Sequence, residues 1–274
     1  MRAEMRGLAL ALAACVALPS PARATELKQE TAEVFQRYVQ KTEARIDGEL
    51  KDPSQFIYVD SLPQKQKQEM MERLHSGGVI TERIHTREDG KEIEVPDGMV
   101  HHWRALAFIP GVRLQQVVAL AEDYPRHPQI YAPDIQRAKV LSHTDGHDSV
   151  EFRFYRQAIV TVVYDTEFSV DYFFPDNSRA YSFSRAVRIA EVENPGKPGE
   201  KELPEGKDHG YMWRLDLYTR YLERDNGVYV QIEFLALSRS VPAIFAWLVN
   251  PYIRSIPRDY LTHYMSATRK ALVG

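Results

Sequence analysis

Charged side chains interrupt several otherwise apolar stretches in the second half of the chain. In the stretch 214–220 the polar residues recur at every second position, as they would on one face of a β-strand. A buried arginine in such a pattern binds a carboxylate or a polar headgroup through paired hydrogen bonds. The alternative is a solvent-exposed outer face with cross-strand ion pairs, each worth about a few tenths of a kcal/mol. The pattern comprises Arg185, Arg188, Arg214, Asp216, Tyr218, Arg220 and Glu233.

The adjacent pair His101 and His102 is a second candidate for chemistry. Neighbouring side chains on a strand point to opposite faces, so the two histidines cannot bind one metal ion. One of them is a candidate acid–base group, together with Glu233 and Tyr218. The alternative is a histidine that only makes a structural hydrogen bond.

Two further histidines, His143 and His147, flank the turn dipeptide Asp145-Gly146. A structural zinc site needs four ligands, and no third ligand is evident here. The chain also has no glycine-rich phosphate loop, nucleophile elbow or zinc-protease motif. The sequence therefore predicts no metal and no cofactor.

The first 24 residues have the pattern of a secretory signal peptide. Arg2 and Arg6 precede a short apolar run, which ends in the small-x-small site of residues 22–24. That run is too short to span a bilayer as a helix. The sequence predicts an exported protein, periplasmic or secreted after cleavage. A lipoprotein anchored at Cys15 is the alternative, because residues 12–15 resemble a lipobox.

Composition excludes several classes of protein. Cys15 is the only cysteine, so cleavage after residue 24 leaves no thiol for a disulfide, a nucleophile or a metal. The formal net charge of −3 disfavours a nucleic-acid partner, which requires a clustered basic face. After residue 24 no apolar run approaches the length of a membrane span.

Hydrophobic periodicity divides the rest of the chain at about residue 98. Before it, helices are predicted over 25–50 and 63–74, and a β-hairpin over 79–95 that turns at Asp89-Gly90. After it come strands, a short helix and a long terminal helix bent around Pro251 and Pro257. The predicted strands are 99–109, 135–142, 150–156, 159–174, 179–193, 210–224 and 227–239, with helices at 112–123 and 242–272.

This order predicts an α+β fold, a helix grip. Six to seven antiparallel strands linked by hairpins form a curved sheet, and one face of that sheet must be covered. The terminal helix is the only long apolar element left to cover it. The predicted organisation is a signal peptide (1–24), a helical extension with a hairpin (25–97) and a helix-grip domain (98–274).

Two motifs resemble the START-like superfamily, which includes lipid-transfer domains, coenzyme-Q-binding proteins and polyketide cyclases. The first is Phe108-Ile109-Pro110-Gly111 before a helix, followed by Asp123-Tyr124-Pro125 and Tyr131-Ala132-Pro133. The second is Ser240-Val241-Pro242 with Trp247-Leu248-Val249-Asn250 and Ile256-Pro257. The resemblance covers about residues 98–272 and leaves the extension unmatched.

The resemblance implies a mostly apolar cavity between the sheet and the terminal helix. It also implies that residues 247–256 form a lid able to contact a membrane transiently. The strand face that points inward stays open, because a one-residue slip reverses every assignment. The predicted ligand-binding residues are Trp103, Tyr155, Tyr164, Tyr172, Arg185, Trp213, Tyr218, Phe234, Trp247 and Tyr252, and Phe168 and Phe245 are further candidates for the lining.

The function that this fold implies is non-catalytic binding of an apolar ligand, such as a lipid or an isoprenoid quinone. One alternative is a cyclase- or hydratase-type enzyme that uses a polar residue in the same cavity. Another is an interaction module whose cavity is vestigial and whose N-terminal helices bind a partner.

Overall fold

The computed structural model describes residues 26–157, 161–240 and 243–274, with the side chains of 243–255 left out. The first element of the described residues is helix α1, Gln29–Lys51. Two 3-10 turns follow, Pro53–Gln55 and Tyr58–Ser61, and then helix α2, Gln64–His75. Both helices lie close to the bounds that periodicity predicts.

The remaining elements form one antiparallel sheet, a small hairpin and three more helices. Strand β4 leads into helix α3, a 3-10 turn and helix α4, and the last strand leads into helix α5. The strands are β1 Ile80–Arg83, β2 Arg87–Glu88, β3 Lys91–Glu92, β4 Gly98–Pro110, β5 Ile135–Thr144, β6 His147–Gln157, β7 Thr161–Asp176, β8 Arg179–Glu193, β9 Lys201–Glu202, β10 Arg214–Arg224 and β11 Gly227–Arg239; the helices are α3 Leu114–Glu122, α4 His127–Ile130 and α5 Ala243–Val273.

The sheet has the order β1-β4-β11-β10-β8-β7-β6-β5, and β9 pairs with β8. Chain neighbours are mostly sheet neighbours because tight turns join them. Asp225 and Asn226 both have positive φ, 58° and 56°, as a two-residue hairpin turn between β10 and β11 requires. The non-local pairing of β4 with β11 brings the first long strand beside the last and sets the start of α5 near the sheet.

Alternation along the strands gives the sheet two different faces. The inner face packs on α3 and α5, with Ala105, Val230 and Leu261 in its core. The outer face packs on the N-terminal extension, with Phe35 of α1 and Leu235 of β11 in one cluster. The extension therefore forms a third layer that covers the sheet opposite α5.

The hairpin predicted over residues 79–95 is wrong in its extent. Only β2 and β3 pair with each other, around the Asp89-Gly90 turn. Strand β1 pairs instead with β4, so that Ile80 lies opposite Leu106. This pairing buries Ile80 and Leu106 together in the apolar cluster under α2, which favours it over a hairpin across 79–95.

No helix among the described residues has the length and apolarity needed to cross a membrane. Helix α5 runs without interruption through Pro251 and Pro257.

Candidate ligand cavity

A cavity of about 80 Å³ lies between the inner face of the sheet and helices α3, α4 and α5. Its walls combine aromatic rings, aliphatic side chains and a few hydroxyl groups. The described lining consists of Ala121, Tyr124, His127, Ile135, Phe152, Phe154, Phe168, Val170, Tyr172, Ser182, Ser184, Leu217, Thr219, Tyr221, Ile232, Tyr260, Leu261 and Tyr264.

Small side chains at the centre of the sheet leave this space open. In one row across four strands, Ile232 lies opposite Thr219, Thr219 opposite Ser182, and Ser182 opposite Tyr172. Serine removes several methylenes of bulk relative to leucine or phenylalanine at the same place. The serine of β8 is thus flanked by larger residues, and the cavity lies in front of it.

Aromatic contacts hold the walls on either side. The rings of Tyr131 and Tyr264 stack with centroids 4.3 Å apart, which ties α5 to the segment after α4. The rings of Phe152 and Phe168 meet edge to face at 5.8 Å across β6 and β7. Such pairs stabilise a core by about 0.5–1.5 kcal/mol beyond the area that they bury.

A buried carboxylate adjoins the cavity at the end near α3. Tyr124 donates its hydroxyl hydrogen to Asp148 at 2.9 Å, and its oxygen lies 3.0 Å from that of Tyr172. Asp148 also lies 2.5 Å from Nδ1 of His143, whose side chain is 72 % exposed. The β5–β6 hairpin pairs His143 with Asp148 directly. A continuous hydrogen-bonded chain thus leads from solvent to the cavity wall.

The phenols of this wall are neutral. Burial raises the pKa of Tyr124, Tyr172 and Tyr221 above the ordinary value for tyrosine. A neutral phenol donates one hydrogen bond and accepts others. The cavity can therefore form hydrogen bonds with a ligand while presenting no charged phenolate.

Tyr172 is the one predicted binding residue that lines the cavity among those whose side chains are described. Trp103 and Phe234 face each other on β4 and β11 and pack on the same inner core, beside the cavity. Tyr164 lies opposite Phe154 in the sheet but adjoins Glu191 rather than the cavity. The further candidate Phe168 also lines the cavity.

Four other predicted binding residues lie away from this cavity. Tyr218 donates to Glu43 of α1 at 3.0 Å, and Arg185 pairs with the same glutamate and with Asp216. The physical reason is strand parity, which turns these positions to the outer face. Tyr155 directly follows Phe154 on β6 and hydrogen-bonds Gln157, and Trp213 packs in the cluster around Phe35. Trp247, Tyr252 and Phe245 lie outside the described side chains, as does the predicted lid around them.

The charged residues of the strands face outward, but the solvent-exposed interpretation of them is wrong for the central positions. The carboxylate of Glu233 accepts hydrogen bonds from Arg45 of α1 at 2.6 Å, from Arg104 at 3.3 Å and from His102 at 3.2 Å. Arg220 binds Glu49 of α1 at 2.6 Å. Helix α1 covers this face, so Glu233, Arg104 and Arg220 are buried beneath it, whereas Arg45 and Glu49 stay partly exposed.

The candidate acid–base residues are also placed away from this cavity. His102, Glu233 and Tyr218 lie on the face opposite the cavity and serve the contact between the sheet and α1. Burial by itself would raise the pKa of Glu233, but the hydrogen bond from His102 and the arginine charges hold it well below the ordinary value. On the other face, His101 lies 2.9 Å from the hydroxyl of Ser238.

Sequence reasoning missed Asp148, Ser182 and Ser184 as residues at or near the cavity. The signal available for the serines was parity, because they alternate with Tyr181 and Phe183 on a predicted strand. Asp148 carried no such signal. Its partner Tyr124 comes from a turn 24 residues earlier in the chain, and only the packing of that turn on β6 joins them.

Comparison with known proteins shows similarity of structure only. No family model and no curated protein matches the chain. A STAR-related lipid transfer protein from Xanthomonas axonopodis aligns at 18 % identity and a TM-score of 0.44, over 66 % of this chain and 96 % of its own. An aromatase/cyclase, Zhui, from Streptomyces sp. R1128 aligns at 9 % identity and a TM-score of 0.45, over 64 % and 94 %. Human STARD10 aligns at 9 % identity and a TM-score of 0.42, over 77 % and 82 %.

The architecture itself matches the fold that the sequence motifs predict. An antiparallel sheet begins with a strand that leads into short helices, continues through hairpins, and ends in a long helix against its inner face. The chain has an α+β helix-grip fold, with an additional N-terminal layer on the outer face of the sheet.

Proposed function

We propose that this protein binds an apolar molecule in the cavity between the sheet and α5, as a non-catalytic carrier. The observation that supports the proposal is the lining, in which aromatic and aliphatic side chains surround a small set of neutral hydroxyl groups. Binding sites for apolar ligands have this composition: the apolar walls supply affinity and a few polar groups orient the ligand.

The cavity is too small for a ligand of drug size, so binding requires it to enlarge. Ligands of drug size occupy roughly 300–1,000 Å³, whereas the described cavity measures about 80 Å³. We infer that a ligand enlarges this space by displacing rings that are only half-buried, namely Phe154, Tyr260 and Tyr264. The described cavity is then one end of a larger binding site.

The cellular location belongs to the same proposal. We propose that the chain is exported and acts in the cell envelope or outside the cell, after removal of residues 1–24. The basic start, short apolar run and cleavage site support this. An intact mass of the mature protein tests it: cleavage after residue 24 and lipidation at Cys15 give different masses, and retention of residues 1–24 would contradict export.

The decisive experiment is native mass spectrometry of the protein purified from the envelope of its own host. We expect one apolar molecule per chain, recoverable by solvent extraction. Two substitutions on α3 provide a matched pair. Ala121→Phe fills the cavity that Ala121 lines, whereas Ala119→Phe adds the same ring to an exposed position two residues away.

The expected result is loss of the bound molecule from the Ala121→Phe protein and retention by the Ala119→Phe protein. Circular dichroism confirms that both variants fold. Two results would refute the carrier function: wild-type protein that is empty and takes up no apolar probe, or equal occupancy of the two variants.

A second candidate function is acid–base catalysis on a ligand in the same cavity. It is favoured by one observation, the carboxylate of Asp148 beside the phenol of Tyr124, since a carboxylate next to a neutral phenol can exchange protons. The recovered ligand, incubated again with fresh protein, should change in mass if this function holds. An unchanged ligand leaves only the carrier function.

A further inference from the structure

The chain of hydrogen bonds from His143 to Tyr172 has a fixed direction. Asp148 lies 2.9 Å from the hydroxyl of Tyr124 and 2.5 Å from Nδ1 of His143. A carboxylate only accepts hydrogen bonds, so both neighbours donate to it. Tyr124 has a single hydroxyl hydrogen, and that hydrogen is committed to Asp148.

Tyr172 must then donate to Tyr124. The two phenol oxygens are 3.0 Å apart, and the oxygen of Tyr124 has only lone pairs to offer. Tyr172 in turn has its one hydrogen committed. Its oxygen keeps free lone pairs, and no group among the described residues donates to them.

The position of this oxygen makes the free lone pairs relevant to a ligand. Tyr172 and Tyr124 both line the cavity, and Tyr172 lies opposite Ser182 in the central row of small residues. The side chains of Tyr172 and Asp148 are almost wholly buried. A buried acceptor without a donor is costly, and a bound ligand can supply the missing hydrogen.

The buried carboxylate keeps the chain in this direction. An isolated buried carboxylate would be strongly unfavourable, and a partner with a compensating charge makes it tolerable. His143 is that partner, and the hydrogen bond to Asp148 raises its pKa, which favours the charged imidazolium. While Asp148 accepts from both His143 and Tyr124, neither phenol can turn its hydrogen into the cavity without losing an acceptor.

We propose that Tyr172, oriented by Tyr124 and Asp148, is a hydrogen-bond acceptor for the hydroxyl group of an otherwise apolar ligand, an alcohol or a phenol. This inference rests on the proposed function, because it assigns the polar recognition within the same cavity. It selects ligands that donate a hydrogen over ethers and hydrocarbons of the same shape.

The test compares two small probes of similar shape, 4-propylphenol and 4-propylanisole, with propylbenzene as the purely apolar probe. Dissociation constants are measured by isothermal titration calorimetry on the mature wild-type protein and on three variants. The readout is the dissociation constant of 4-propylanisole divided by that of 4-propylphenol. Each probe loses the same hydration on binding to any of the proteins, so a difference in this ratio between two proteins does not depend on the hydration of the probes.

We expect the preference for 4-propylphenol over 4-propylanisole to be about three- to tenfold larger in the wild type than in Tyr172→Phe. This factor corresponds to one net hydrogen bond. Propylbenzene should bind both proteins alike. Tyr155→Phe is the control, because the hydroxyl of Tyr155 bonds Gln157 at an exposed site away from the cavity. Its ratio should equal that of the wild type.

Tyr124→Phe provides a second, opposite test. In this variant Tyr172 has lost the phenol oxygen that accepts its hydrogen bond, so its hydroxyl is free to donate into the cavity. The preference for 4-propylphenol over 4-propylanisole should therefore decrease. If propylbenzene binds but Tyr172→Phe leaves the ratio unchanged, the recognition by Tyr172 is refuted and the carrier function stands. If no probe binds the wild-type protein, both proposals fail together.

Discussion

The guanidinium of Arg45 in α1 meets the carboxylate of Glu233 in β11 at 2.6 Å, and the glutamate side chain is only 1 % exposed. The contact joins residues 188 positions apart in the chain. It fixes the N-terminal helix to the centre of the outer sheet face. The extension is therefore part of the packed structure of this protein, and the charges under it depend on one another.

Replacing Glu233 by glutamine should destabilise the protein by about 3–5 kcal/mol, because it removes a buried carboxylate and leaves the buried guanidinium of Arg104 without that partner. Urea denaturation followed by circular dichroism measures the change in the free energy of unfolding. Glu202→Gln is the control, since Glu202 pairs with Arg188 at an exposed site and should cost less than about 1 kcal/mol. Equal costs would show that α1 does not bury the outer face.

Tyr38→Phe should cost about 1–3 kcal/mol. The hydroxyl of Tyr38 accepts from the backbone N–H of Thr86 at 2.9 Å and lies 3.0 Å from Nδ1 of His102, to which it donates. Phenylalanine leaves both buried groups without a partner. Tyr155→Phe is the matched control, because its hydroxyl bonds Gln157 at an exposed site. Thermal melts that do not separate the two variants would contradict this role.

Two glycine-to-alanine substitutions should have opposite signs. A Cβ at Gly227 would lie 2.4 Å from the carbonyl oxygen of Ile109, so Gly227→Ala should destabilise the protein by about 1–3 kcal/mol through overpacking. A Cβ at Gly48, inside α1, meets nothing within 4 Å. Gly48→Ala should stabilise by about 0.5–1 kcal/mol. Differential scanning calorimetry checks both, and a stabilised Gly227→Ala protein would refute the close approach of β4 and β11.

Stability should fall as the pH drops below about 6.5, the ordinary pKa of histidine. Burial lowers the pKa of His127 to about 4, so the unfolded chain binds the proton first and acid favours unfolding. The loss extends from about pH 6.5 towards pH 4, at no more than about 1.4 kcal/mol per pH unit for this group. His101, with its pKa also lowered by burial to about 4, acts in the same direction.

The variant His127→Gln isolates that contribution. The free energy of unfolding, measured by urea titration at pH 7, 6 and 5, should depend less steeply on pH in the variant than in the wild type. A difference in slope is required, because a lower stability at every pH would reflect only lost packing. Identical slopes would mean that His127 titrates normally in the folded protein.

The elements of this fold were predictable because periodicity and turn residues are local properties. Strands β8 and β11 have the predicted bounds, 179–193 and 227–239, and α5 starts and ends within one residue of its predicted limits. The strands of 79–95 were less predictable. Ile80–Arg83 pairs with a partner about 20 residues away, and that choice depends on which apolar cluster buries Ile80.

The candidate site was less predictable than the fold, since its residues come together from separate elements. The alternation of Leu215, Leu217, Thr219 and Tyr221 in the sequence shows that they share a face. It does not show whether α5 or α1 covers that face. Among the predicted binding residues with described side chains, Tyr172 alone lines the cavity. The hydrogen bonds that orient it depend on the contact between Tyr124, which follows α3, and Asp148 of β6.

The sequence by itself determined the succession of the long strands along the chain, the terminal helix and the grouping of charged residues on one strand face, because these follow from spacing along a single segment. Only the tertiary structure decided that α1 covers this charged face, so that Arg45 meets the buried carboxylate of Glu233. It also decided that Asp148 and Tyr124 orient Tyr172 beside an apolar cavity. Both arrangements depend on which segments pack together, and the free energy of that packing comes from burial across the whole chain rather than from local pattern.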